Sequence, residues 1–268
     1  MSGSSLITLR ARLADGASFL LLNGTPALLL SLLFALSNLI LIKLFVLLEP
    51  GIGEYLADRS RRQDHLAAIL LMQTIALMVL VGHGLIWARI CLLGRTNALA
   101  GGMEGFFRRF STCLTRLMVA ALLGIALSLP ALIFAIILTG LLRNFGGFGQ
   151  SMASAASIML LAVPLGAVVS ALILSMSAEA IDRRLSMLAA MQQTQPAWIR
   201  LAVVMIVLVA IYILLAVGLS QLAGAETRLP GSVFETFAFL LQHALGFLTL
   251  ALAIGALAPL LRDRKKSN

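Results

Sequence analysis

Six stretches of the chain, about 26–48, 66–93, 114–142, 152–178, 199–222 and 232–261, are almost free of charge. Each is long enough to cross a bilayer, which takes roughly 20 apolar residues in a helix. Only helices or closed barrels satisfy their backbone groups in lipid, and apolar runs of this length predict helices. A water-soluble globule is excluded on the same ground: 60% of the 268 residues are hydrophobic and 12% charged, against about 25% charged in soluble domains. The expected fold class is therefore an all-α integral membrane protein, with six transmembrane helices arranged as three hairpins.

Polar segments punctuate these runs. Residues 5–22 carry Leu6, Leu9, Leu13 and Ala17 at helical spacing, with Arg10 and Arg12 opposite, and Asn23-Gly24-Thr25-Pro26 breaks the chain. This predicts an interfacial helix, a turn, and Pro26 at the first position of the next helix. Glu49-Pro50-Gly51 is a firm stop, and the charged stretch 51–65 predicts a short surface helix. Trp87 near the end of the second run fits an exit through the interfacial aromatic belt. Pro130 and Pro164 fall inside the third and fourth runs, and Ala162, Gly166 and Ser170 form a small-residue row that lets a neighbouring helix approach.

Two segments echo one another. Glu104 to Ser111 reads E-G-F-F-R-R-F-S, and Glu179 to Ser186 reads E-A-I-D-R-R-L-S. At 100° per residue Phe106, Phe107, Phe110, Leu114 and Leu117 share one face, with Arg108, Arg109, Thr112, Thr115 and Arg116 opposite. Glu104–Arg108 and Glu179–Arg183 are i,i+4 pairs in the favourable order. The reading is of basic amphipathic helices on the membrane surface, each leading into a hairpin. The echo also divides the single domain, 1–268, into pseudo-repeats 1–93, 101–178 and 179–261.

Lys and Arg set the expected orientation. With six spans, fourteen fall on the side of both termini and five on the other, so both termini are expected in the cytoplasm. The net charge of +9 is spread over short loops beside the spans, a topology pattern and not a nucleic-acid surface. Cys91 and Cys113 lack metal-ligand spacing and would be reduced thiols at the cytoplasmic face. Arg10 and Arg12 precede the first run, but no A-x-A-like cleavage site follows it.

Chemistry within the membrane would have to come from few residues. Lys43, Gln73, His83, Gln242 and His243 are the candidate intramembrane polar sites. Lys43 can snorkel to the headgroups and meet Glu49. His83 and His243 are read as hydrogen-bonding structural groups, with a relay or metal pair as the alternative if they face one another. No metalloprotease, P-loop or dinucleotide motif is present, and no carboxylates cluster in the spans. Gly218-Leu219-Ser220-Gln221 with His243 is similar to the Ser–His dyad of rhomboid-type proteases, but Gln221 stands where that family has Gly.

The whole layout resembles one bacterial group: the membrane domain attached to some glycerophosphodiester phosphodiesterases, with related small inner-membrane proteins. The matching residues are Gly105-Phe106-Phe107-Arg108-Arg109-Phe110, Pro130, Glu179-Ala180-Ile181-Asp182-Arg183-Arg184-Leu185 and Trp198. The family more often shows Glu-Gly where this chain has Glu179-Ala180. The resemblance implies a cytoplasmic-membrane protein in a supporting role. No counterpart of the soluble phosphodiesterase domain lies in these residues, so no hydrolase activity is implied. The functional expectation is a non-enzymatic, cofactor-free protein that organises anionic lipids or partner proteins, homo-oligomers included. Arg108, Arg109, Arg183 and Arg184 are its candidate headgroup contacts. A permease or transport subunit is the alternative, and a membrane enzyme the second.

Overall fold

The structure is a computed structural model that describes residues 9–50, 66–142, 146–194, 207, 233–257 and 261. Seven helices contain nearly all of them: α1 (Leu9–Leu22), α2 (Gly24–Leu48), α3 (Leu66–Leu93), α4 (Gly102–Leu142), α5 (Gly146–Ala180), α6 (Met187–Thr194) and α7 (Val233–Leu257). No strand occurs among the described residues. Five of the helices, all but α1 and α6, are long and apolar enough to cross a membrane, so the coarse reading, an all-helical multi-pass membrane protein, stands. The expected span 199–222 apart from Val207, the surface helix 51–65 and the residues Trp198 and Ser220 lie outside the described residues.

Helix ends follow the expected stops. At the end of α2 the amide of Glu49 still donates to Phe45 O (2.8 Å), and Pro50 prevents continuation. Asn23 separates α1 from α2 by one turn residue, with its side-chain amide on Phe19 O (3.1 Å). Pro26 is the third residue of α2 rather than the first. It still lies in the opening turn, where a missing N–H costs nothing. α3 ends at Gly94, whose φ of +83° and N–H to Ile90 O (3.1 Å) form a left-handed cap.

The chain forms two units, 1–14 with 100–208 and 257–268, and 15–99 with 209–256. In the second unit α2 buries Ala27, Ser31, Phe34, Ala35 and Asn38 while Leu28, Leu29, Leu32, Leu33 and Leu36 stay exposed. A leucine surface over an interior holding Ser and Asn is the arrangement lipid favours, because leucine gains nothing by leaving hydrocarbon and polar groups gain partners. Asn38 donates to Phe34 O (2.8 Å). Leu41 and Phe45 then pack on Ile69 and Met72 of α3. Trp87, expected in the interfacial belt, is instead fully buried, and its indole N–H donates to Ala251 O of α7 (3.0 Å). Burial of so large a ring is possible because its one polar atom finds a carbonyl.

The first unit is built on the antiparallel pair α4 and α5, with α6 folded back on α5. Gly124 of α4 faces Leu165 and Val168 of α5, and Gly166 and Ser170 of the expected small-residue row are buried. Pro130 and Pro164 lie within helices, as expected.

In the second unit α1 and α7 come into close backbone contact at Gly16 and Gly255. A Cβ at Gly16 would stand 2.9 Å from Leu252 O and 3.0 Å from Ala256 N, and one at Gly255 would stand 3.1 Å from Gly16 Cα. Gly16→Ala is therefore expected to destabilise by about 1–3 kcal/mol through overpacking. Gly24→Ala, with nothing within 4 Å, should be near neutral. Thermal unfolding in mild detergent checks both, and equal midpoints for the two variants would refute the α1–α7 crossing.

Candidate functional site

Where α4 begins and α5 ends, the two echoing segments meet each other and adopt different structures. The first copy opens one continuous helix of 41 residues, so it is no separate surface helix. Its buried line is Arg109, Cys113 and Ala120, with Arg116 largely buried beside them, while Phe107 is exposed. One edge of the basic side, Arg109 and Arg116, turns toward α5, while Arg108 and Thr115 stay exposed and Phe106 and Phe110 are half-buried. Phe106 stacks on Phe110, ring centroids 5.9 Å apart.

The second copy, by contrast, ends a helix: Glu179 and Ala180 are the last residues of α5, and 181–186 are not helical. After Ala180 the amide of Asp182 bonds Glu179 O (2.9 Å) and that of Arg183 bonds Ala178 O (2.9 Å). Asp182 takes a φ of +58°. These are the two bonds of a Schellman stop, with Asp in the left-handed position that Gly usually fills. Ser186 then caps α6, its Oγ accepting from the amide of Ala189 (3.2 Å).

Asp182 tolerates this backbone because its carboxylate is held. Arg109 donates from Nε to Oδ1 (3.0 Å) and from Nη2 to Oδ2 (2.7 Å), and Arg108 Nη2 donates to Oδ1 (2.9 Å). Charge-assisted bonds in a two-toothed geometry are among the strongest a side chain makes. The Arg109 side chain is 7% exposed, Asp182 47% and Arg108 70%. Glycine makes the room: a Cβ at Gly105 would lie 3.1 Å from Arg109 Nη1, and one at Gly101, where φ is +92°, 3.2 Å from Nη2.

A second pair lies deeper. Arg116 donates to Glu179 Oε2 (2.6 Å) and to Ser175 O, with both charged side chains 14% exposed. Removing one partner of such a pair strands a charge, which costs about 3–5 kcal/mol. The expected i,i+4 pairs give way to these cross-helix ones: Glu179 takes Arg116 and Arg108 takes Asp182. Arg183 donates to Leu261 O (3.2 Å), and Arg184 is exposed.

The intramembrane candidates lie in the second unit. Lys43 and Gln73 are exposed on α2 and α3, and Gln242 is half-buried on α7. His83 and His243 share one neighbour, Phe34, at ring-centroid distances of 5.8 and 6.4 Å, and Phe247 closes the cluster against His83 at 6.1 Å. Each histidine places Nδ1 on a carbonyl one turn back in its own helix, Val79 O (2.8 Å) and Phe239 O (2.9 Å). A carbonyl only accepts, so Nδ1 carries the proton in both. No group of three or more metal-ligating side chains occurs among the described residues. Near the end of α3, buried Arg89 donates to the carbonyls of Ala98 and Asn97, and Arg95 reaches Asn23 Oδ1 (3.2 Å).

Asp182, Arg116 and the glycines at 101 and 105 were not among the candidate site residues read from the sequence. The available signal was Asp182 itself, an acid where the first copy has Phe107. Neither a protein-family model, nor a curated protein, nor a solved structure matches the chain.

The Arg109 fork, more than any other group, holds the Asp182 carboxyl below the usual carboxylate range. A carboxyl depressed by folding stabilises the fold above its unfolded value of about 3.9, and that stability is lost as pH falls through the lower folded value. The unfolding midpoint should therefore fall more steeply below about pH 4 in the wild type than in Asp182→Asn. Parallel profiles would contradict the pairing.

Proposed function

We propose that this is a non-enzymatic, six-span inner-membrane protein of bacterial type that organises anionic lipids, or partners docked on them, at the cytoplasmic leaflet. The observation that carries the reading is the charge left over where α4 meets α5. Arg108, Arg109, Arg116, Arg183 and Arg184 stand there against Glu104, Glu179 and Asp182, and the exposed members include Arg108 and Arg184. This end belongs to the side that carries fourteen of the basic residues. A basic end beside an apolar helical body suits the negative surface of a cytoplasmic leaflet. Arg109 and Arg116, paired and largely buried, hold the end together, while Arg184 and the 70% exposed Arg108, though it also pairs with Asp182, meet the headgroups. The resemblance to the phosphodiesterase-linked membrane domain agrees with such a supporting role.

Transport is the second reading, and one observation favours it. Ser128 and Ser170, on helices that each contain a proline, have buried hydroxyls without a hydrogen-bond partner. Buried polar groups of that kind, with the carbonyls that proline frees, are what a polar solute would use.

Each basic residue at a membrane surface contributes about 1 kcal/mol, so Arg108→Ala with Arg184→Ala should weaken retention of phosphatidylglycerol by up to about thirtyfold at low salt. The Lys pair should retain it. Native mass spectrometry of the detergent-purified full chain reads the bound lipid, and unchanged retention in the Ala pair would overturn the proposal.

A further inference from the structure

Two guanidinium groups share one carboxylate at the mouth of the α4–α5 pair, so the fork carries more positive charge than its resident anion cancels. The fork is rigid: Arg109 is buried, backed by Gly101 and Gly105, and offers Nε and Nη2 side by side. Its open side is the one Asp182 covers, since Asp182 is about half exposed while Arg109 is not. Asp182 itself stands on a left-handed backbone that an L-residue rarely adopts, φ +58°. The two non-bridging oxygens of a phosphodiester repeat the spacing of a carboxylate, and Arg binds both in the same two-toothed way.

The geometry points to the Arg108–Arg109 fork as a binding site for the phosphate of an anionic phospholipid, with Asp182 as a built-in, displaceable stand-in for that phosphate. The inference rests on the reading of this end as a lipid-facing surface and adds to it a defined pair of donors and a competitor. Displacement breaks three hydrogen bonds to the carboxylate, and the phosphate oxygens remake them. The freed Asp182 turns to water, which its exposure allows.

The full chain is purified in mild detergent, phosphatidylglycerol is added, and the retained lipid is weighed by native mass spectrometry. Asp182→Asn should retain several-fold more than the wild type, and adding Arg109→Gln should abolish the gain. Glu104→Gln makes the same change of net charge away from the fork and should not reproduce it. A gain that survives Arg109→Gln, or that Glu104→Gln matches, overturns the site in favour of general charge. Equal competition by inorganic phosphate would identify a soluble anion and overturn the lipid assignment. Asp182→Gly, which relieves the backbone, is the second variant lacking the carboxylate. If neither folds, the carboxylate cannot be exchanged and the inference fails. If the Arg108, Arg184 double Ala variant loses lipid while Asp182 variants match the wild type, only the fork assignment falls. If no form retains phosphatidylglycerol, the lipid-facing reading falls with it.

Discussion

A guanidinium that leaves water where two helices meet needs a partner, and Asp182 is the partner of Arg109. Much of the first unit follows from that pair. It turns one edge of the basic side of α4 toward α5 and holds an aspartate in a left-handed turn that would otherwise be strained. It also suits glycine at positions 101 and 105, where a Cβ would come within 3.2 Å of the guanidinium. Two turns further along α4, Arg116 pairs with Glu179 with less exposure. Beyond them the interface becomes Ala120 and Gly124 against Leu165 and Val168, and packing takes over from charge. Association in lipid gains little from apolar contact, so ion pairs at the end and small residues within are the means available.

In the second unit backbone carbonyls take a larger part in the described contacts. Its polar atoms are satisfied mainly by backbone: Asn38, His83 and His243 each bond a carbonyl four residues earlier, and Trp87 reaches across to Ala251. Local bonds of this kind neutralise a side chain's polarity without fixing it to a neighbour. They leave aromatic packing around Phe34 and Phe247 to join the helices. Each histidine thus has one nitrogen committed to a carbonyl of its own helix.

The sequence alone made the helices legible. α2 ends at Leu48 and α3 spans Leu66–Leu93, at the expected bounds, because Pro50, Gly94 and the length of the apolar runs act locally. The orientation of helix faces was not legible. Angular position on α4 divides aromatic from basic residues correctly, but which side is buried depends on what stands opposite, and lipid reverses the rule that holds in water. An Arg face looks like the outer face until Asp182 and Glu179 are known to oppose it. The echo misled for a related reason: the spacing of Glu and Arg is the same in both copies, yet Asp182 in place of Phe107 turns one copy from a helix into a stop. Trp87 shows the same dependence, since a belt residue and a buried one differ only in whether a carbonyl such as that of Ala251 lies within reach.

The central claim is that the Arg109–Asp182 pair holds the mouth of α4 and α5 closed. Cys113, one turn beyond Arg109 and fully buried, reports on it. The most direct measurement is the rate of Cys113 alkylation by a water-soluble thiol reagent, in phosphatidylcholine nanodiscs. It compares the wild type with Arg109→Gln, Asp182→Asn and the double variant. The account predicts that each single variant speeds alkylation and that the double variant is no faster than the quicker single one, because both remove the same interaction. Rates that match the wild type, or effects that simply multiply in the double variant, would contradict it.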